Sequence, residues 1–148
     1  MSIVKKFNDY FLNENKELDK DTLDKVSKYI TKRFKDETED SIVFTYWISK
    51  ILNYDNLIFI SRLEMSEEFK DVSHVYIIIG DKYFDGKGFH TREDLYKKHN
   101  FSKYSYNDYT FHGNLTDLIK CIKEKKLEIT NKIEKELKII LQKIKEDK

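Results

Sequence analysis

The 148-residue sequence predicts an α+β fold, with helices towards both ends of the chain and a small antiparallel sheet between them, and three observations predict it. Apolar residues recur at three- and four-residue steps near the start and over the last quarter of the chain, which is the helical period. Residues 41–53 are apolar on most sides, as expected of a buried central helix. The middle of the chain holds short β-branched and aromatic runs bounded by Gly, Asp and Asn, the pattern of strands and turns. At 39% apolar residues the chain can build a full core. A chain of this length buries about 68–70% of its unfolded surface, so neither a disulfide nor a structural metal is needed to hold it together. With no repeat and no low-complexity linker, residues 1–148 read as a single domain.

Ile3, Val4, Phe7, Tyr10 and Phe11 give a first short amphipathic helix over 3–13. Leu18, Leu23, Val26, Tyr29, Ile30 and Phe34 continue the period to about residue 35, with Asp19 or Asp21 as the start. Thr38 or Asp40 can cap the central helix that follows. Leu57, Ile58, Phe59 and Ile60 form a buried strand; residues 72–80, 82–85 and 104–111 are further strands. Gly80-Asp81 is two-residue turn chemistry, which makes residues 73–85 a hairpin. Residues 91–99 form a short helix capped by Thr91, with Asp94 three residues on. Residues 114–148 are helical again; Asn131 with Glu134 can restart the helix, so one long helix and a pair of shorter ones both fit.

Charge and cysteine content narrow the function classes. Twenty-eight basic and 27 acidic residues leave a formal net charge of +1, which removes the sequence-independent attraction for phosphates, and no nucleic-acid partner is expected. Twenty-five of the 28 basic residues are lysine and proline is absent, the usage of an AT-rich coding sequence, so the lysines say little about a binding surface. A lone cysteine, Cys121, cannot close an intramolecular disulfide, and residues 1–10 hold no signal-peptide core; the expected compartment is the cytoplasm. No apolar run approaches the roughly 18 residues of a membrane span, so no membrane association is expected. His90, His99 and His112 with one cysteine make no zinc pattern, and Gly86-Lys87-Gly88 is too short for a phosphate cradle. Neither metal nor cofactor is expected.

The hairpin is where titratable groups fall into register. A two-residue turn at Gly80-Asp81 sets Ile79 opposite Lys82, Ile77 opposite Phe84 and Tyr76 opposite Asp85. His74 shares a face with Tyr76, so it lies diagonally across from Asp85, about 7–8 Å away at the backbone and within reach of an imidazole–carboxylate hydrogen bond. Such a bond fixes the imidazole tautomer and stabilises the imidazolium, as a general base requires. If the central helix packs on this face, Ser41 near its N-terminus is placed to act as nucleophile, with backbone N–H groups to hold an oxyanion.

The stretch from His74 to Asp85, with Gly88 after it, resembles the His and Asp strands of papain-like and transglutaminase-like proteins. In those proteins a cysteine heads the central helix, the His follows on a strand and an Asp or Asn lies one strand further. The resemblance covers about residues 39–90 and puts Ser41 where the cysteine would stand. It implies an amide or ester hydrolase using Ser41, His74 and Asp85, or a degenerate relative that has lost the chemistry. Circularly permuted relatives of that group, with the cysteine after the histidine, would give the nucleophile's place to Cys121. That residue is about two turns into its helix, beyond the reach of the helix dipole, and reads as an ordinary half-buried cysteine. The alternative is a non-enzymatic module that binds a protein or peptide partner, such as a phage or mobile-element inhibitor of a host defence protein, using the tyrosine-rich segment around Tyr104, Tyr106 and Tyr109 or the terminal helices.

Overall fold

A computed structural model describes residues 40–129 and 131–146, together with 21, 24–26 and 28. The expected helix over 3–13 lies outside the described residues; of the second, residues 21, 24–26 and 28 are helical and Val26 is buried. The central helix is present as α1 (Asp40–Leu52) and leads into strand β1 (Leu57–Ser61). Strand β2 (Val72–Ile79) follows a single 3₁₀ turn, and β3 (Lys82–Asp85) and β4 (Gly88–His90) complete two successive tight hairpins. Helix α2 (Arg92–His99), strand β5 (Thr110–Gly113), helix α3 (Leu115–Glu124) and helix α4 (Asn131–Glu146) close the sequence of elements. The sheet is five-stranded and antiparallel, in the order β4-β3-β2-β1-β5. The fold is α+β.

Both faces of the sheet are covered, which is why β1 reads as an unbroken apolar run rather than an alternating one: all five of its residues are buried. Leu57 and Phe59 point to one core with Val75, Ile77 and Phe84, against α1, α3 and α4. Ile58 and Ile60 point to a second core with Tyr76 and Tyr83, against Leu95 of α2 and against Phe101 and Tyr106. Helix α1 lies in the first core, where every described side chain from Ile42 to Ser49 is buried. Its Thr45 hydroxyl donates to the Val75 carbonyl.

Two segments depart from the sequence-based expectations, and a third decides between two alternatives. The segment 104–111 is a strand only from Thr110; Tyr106–Asp108 is a 3₁₀ turn, and its carbonyl at Tyr106 accepts from the Thr110 hydroxyl. Residues 88–90, for which no strand is expected, form β4. The C-terminal segment is two helices: Asn114 and Asp117 build a capping box that starts α3, and Lys126, with φ of +57°, follows its last turn. On α2 the predicted box is present, Thr91 accepting from the Asp94 N–H and Asp94 from the Thr91 N–H. No described helix is long and apolar enough to cross a membrane.

Candidate acid–base site

The two hairpins turn strand register into a side-chain constellation. Gly80 takes a φ of +62°, a conformation glycine adopts without strain, and the turn pairs Ile79 with Lys82, Ile78 with Tyr83 and Ile77 with Phe84, the register that the sequence predicts. The second turn, Gly86-Lys87, pairs Asp85 with Gly88, Phe84 with Phe89 and Tyr83 with His90. Alternation then does the sorting: Tyr83 and Asp85 share a face with His90 across from them, and His74 and Tyr76 of β2 share that same face. A register shift between Ile60 and Ser61 leaves Ser73 without an opposite residue on β1, directly before His74.

Asp85 is the centre. Its carboxylate is 2% exposed and accepts three hydrogen bonds: from His74 Nε2 at 2.9 Å, from His90 Nε2 at 2.7 Å and from the Lys87 backbone N–H at 2.9 Å. Burial alone would raise this carboxyl, but the bonds and charges of His74 and His90 outweigh it and hold Asp85 well below the usual carboxylate range. An ionised carboxylate only accepts, so each Nε2 carries the hydrogen, and Nδ1 of each ring is left as the position that binds or releases a proton. For His74, burial lowers the pKa; the bond to Asp85 opposes this, and Lys98 and His90 add to the lowering. His74 is thus a neutral imidazole at neutral pH. His90 is the more open of the pair, with 20% of its side chain exposed against 11% for His74.

A second pair adjoins the first. Tyr76, fully buried, shares a 2.8 Å hydrogen bond between its hydroxyl and His99 Nε2 at the end of α2. Its ring centroid is 4.3 Å from that of His74 and 5.7 Å from that of His90. Burial raises the Tyr76 hydroxyl, with Asp85 and Asp94 adding to it, and burial with the nearby charges of His74 and Lys98 pushes His99 down to about 4. Both are neutral at pH 7. One sheet face therefore gathers three imidazoles, a phenol and a carboxylate. Three N–H donors meet the buried Asp85 carboxylate within this set.

His74 and Asp85, predicted to meet, are brought together. Ser41 is the second residue of α1, and its side chain is outside the described set. The described residues of α1 pack against the face that carries Val75, Ile77 and Phe84, whereas His74 and Asp85 belong to the other face. The expectation that the central helix packs on the His–Asp face therefore does not hold. An all-round apolar helix can cover either side of a sheet, and nothing in its sequence says which. Cys121 is a fully buried thiol on α3, directed at the Phe69 carbonyl at 3.9 Å, and burial pushes its pKa up to about 11, away from a nucleophilic thiolate.

His90 and His99 were missed as site residues. For His90 the signal was present: Gly86-Lys87 between Asp85 and Gly88 is a second two-residue turn, and the counting that paired His74 with Asp85 puts His90 on their face. His99 arrives through the docking of α2, for which the sequence has no local signal. His112 on β5 is exposed. Among the described residues no group of three or more His, Cys, Asp or Glu side chains is arranged to hold a metal ion. No protein-family model, no curated protein and no solved structure matches this chain.

Proposed function

We propose that the protein is a hydrolase of amide or ester bonds in which His90, oriented by Asp85, takes the proton of an attacking water. The observation that supports this reading is a single buried carboxylate gripping two imidazoles, one of them partly open to solvent. Asp85 fixes the His90 tautomer and stabilises the imidazolium that forms when Nδ1 takes the proton. The water oxygen bonds to the acyl carbon, the tetrahedral adduct expels the amine or alcohol, and the proton passes from Nδ1 to that leaving group. His74 supports Asp85 from its second oxygen, so the carboxylate stays ionised through the cycle. The resemblance of residues 39–90 to the papain-like hairpin supports an acyl carbon as the target. Water takes the place given to Ser41 because α1 lies against the opposite face.

The test is hydrolysis of a panel of p-nitrophenyl esters and peptide anilides. His90→Gln is expected to lower the rate about 10²–10⁴-fold, the usual weight of a general base, with Ser41→Ala unchanged and no fluorophosphonate labelling. Labelling at Ser41, abolished by Ser41→Ala, would return the nucleophile to that serine; no turnover of any substrate would contradict the reading.

A second reading, a non-enzymatic protein-binding module, is favoured by a different observation. Leu63, Met65 and Tyr104 are 54%, 73% and 87% exposed. The first two sit on the loop that bonds back to the 3₁₀ segment, through Met65 N–H to the Asp108 carbonyl and Ser61 N–H to the Tyr109 carbonyl, and Tyr104 lies in the turn entering that segment. Under this reading no ester or anilide is turned over, and alanine at these three positions abolishes binding of the partner.

A further inference from the structure

Helix α2 is attached to the sheet differently from every other described helix. Of its eight residues only Leu95 is buried; Arg92, Glu93, Asp94, Lys97 and Lys98 are exposed, and Tyr96 and His99 are half-buried. A helix this short is not stable in isolation, yet it is closed at both ends by its own residues, the Thr91–Asp94 box and Asn100 in the left-handed region at φ of +56°. It is a self-capped unit between two connections. What ties it down is Leu95 among Ile58, Ile60, Tyr76 and Tyr83, ring contacts of Tyr96 with Phe101 and Tyr106, the Arg92 Nε–H donating to the Tyr83 hydroxyl with the guanidinium over Tyr106 at its first turn, and the Tyr76–His99 hydrogen bond at its last. Beneath its C-terminal end lie His74, with ring centroids 5.6 Å from His99, and Tyr76, and beyond His74 the Asp85 carboxylate.

We infer that α2 is a cover over the His74–Asp85–His90 cluster, fastened at its C-terminal end by the Tyr76–His99 hydrogen bond, and that it swings away as a unit while the sheet stays folded. Elements held by few buried apolar contacts open at lower free energy than the core they cover. Opening turns the half-closed cluster into one that a ligand reaches from the α2 side. What is admitted rests on the hydrolase reading; the motion does not.

Native-state amide exchange of the intact protein, followed along a series of low urea concentrations, tests the motion without substrate. The α2 amides are expected to exchange at least 100-fold faster than those of β2 and with little dependence on urea, the mark of local opening. Exchange of α2 at the β2 rate with the same urea dependence would overturn the inference. Tyr76→Phe removes the fastening: diethyl pyrocarbonate should then modify His74 about tenfold faster than in the parent protein, with exposed His112 as the internal standard and β2 protection kept. An unchanged His74 rate would also overturn it. If Tyr76→Phe does not fold, the urea series on the parent protein decides. An inactive protein whose α2 opens contradicts the hydrolase reading alone; an active one whose α2 opens only with the sheet contradicts the cover alone.

Discussion

The two faces of the sheet are built on different principles. The face under α1, α3 and α4 buries Phe59, Val75, Ile77 and Phe84 against three helices, and its described buried members include two ionisable side chains, the phenol of Tyr46 and the thiol of Cys121. The face under α2 uses the same strands and the same alternation, yet at one end replaces apolar residues by His74, Tyr76, Asp85, His90 and His99. Apolar burial is non-directional and tolerates imprecise placement; a buried carboxylate is tolerated only when donors meet it at bonding distance. One face thus supplies stability and the other supplies geometry. A substitution should reveal which face it falls on by whether stability or proton chemistry changes more.

The largest effect is expected on the apolar face. Phe84→Ala, at a position with no exposure, should cost about 3–5 kcal/mol in urea unfolding and leave the histidine tautomers of the surviving folded fraction unchanged. Across the same strand, Asp85→Asn keeps the volume but sets an amide against two imidazole N–H donors. It should cost about 2–3 kcal/mol and remove hydrolysis entirely from the range of a general base. A loss of stability without loss of activity would make the cluster architectural.

The pH dependence of stability separates the faces again. His74 and His99 have pKa values lowered by burial, so below the ordinary 6.5, and for His99 down to about 4, the unfolded chain binds protons that the folded one does not. Stability is therefore complete above pH 6.5 and declines as pH falls towards 4. Asp85, also lowered, adds a further loss below the ordinary carboxylate range as the unfolded chain takes up its proton first. The His99 shift from 6.5 to about 4 represents about 3 kcal/mol, which solvent screening of this half-buried ring reduces to about 1–2 kcal/mol. His99→Gln should flatten that part of the curve, whereas Phe84→Ala should shift the whole curve down without changing its slope. The smallest effect is expected at Cys121: iodoacetamide should leave the folded protein unmodified, and Cys121→Ala should cost activity nothing.

The same contrast explains what the sequence made legible. The hairpin register, and with it the meeting of His74 and Asp85, follows from Gly80-Asp81 because a two-residue turn leaves only one pairing. The box at Thr91 and Asp94 is likewise local chemistry and was readable. Strand β4 was not recognised because it has three residues, one of them glycine, and so lacks any apolar run; its identity comes from pairing with β3. Which sheet face α1 covers, and the arrival of His99 beside Tyr76, depend on contacts between elements distant in sequence. Residues 42–52, apolar all round, point in no direction, and α2 contributes one buried side chain to its docking. The site was legible where it lies within one ribbon and hidden where a helix completes it.

The central claim is that one ionised carboxylate fixes the proton on Nε2 of two imidazoles at once. Long-range ¹H–¹⁵N spectra of the histidine side chains at neutral pH measure this directly. The account predicts the Nε2–H tautomer for both His74 and His90, with that preference lost at both rings together in Asp85→Ala. An Nδ1–H tautomer at His90, or spectra of both rings unchanged by Asp85→Ala, would contradict it.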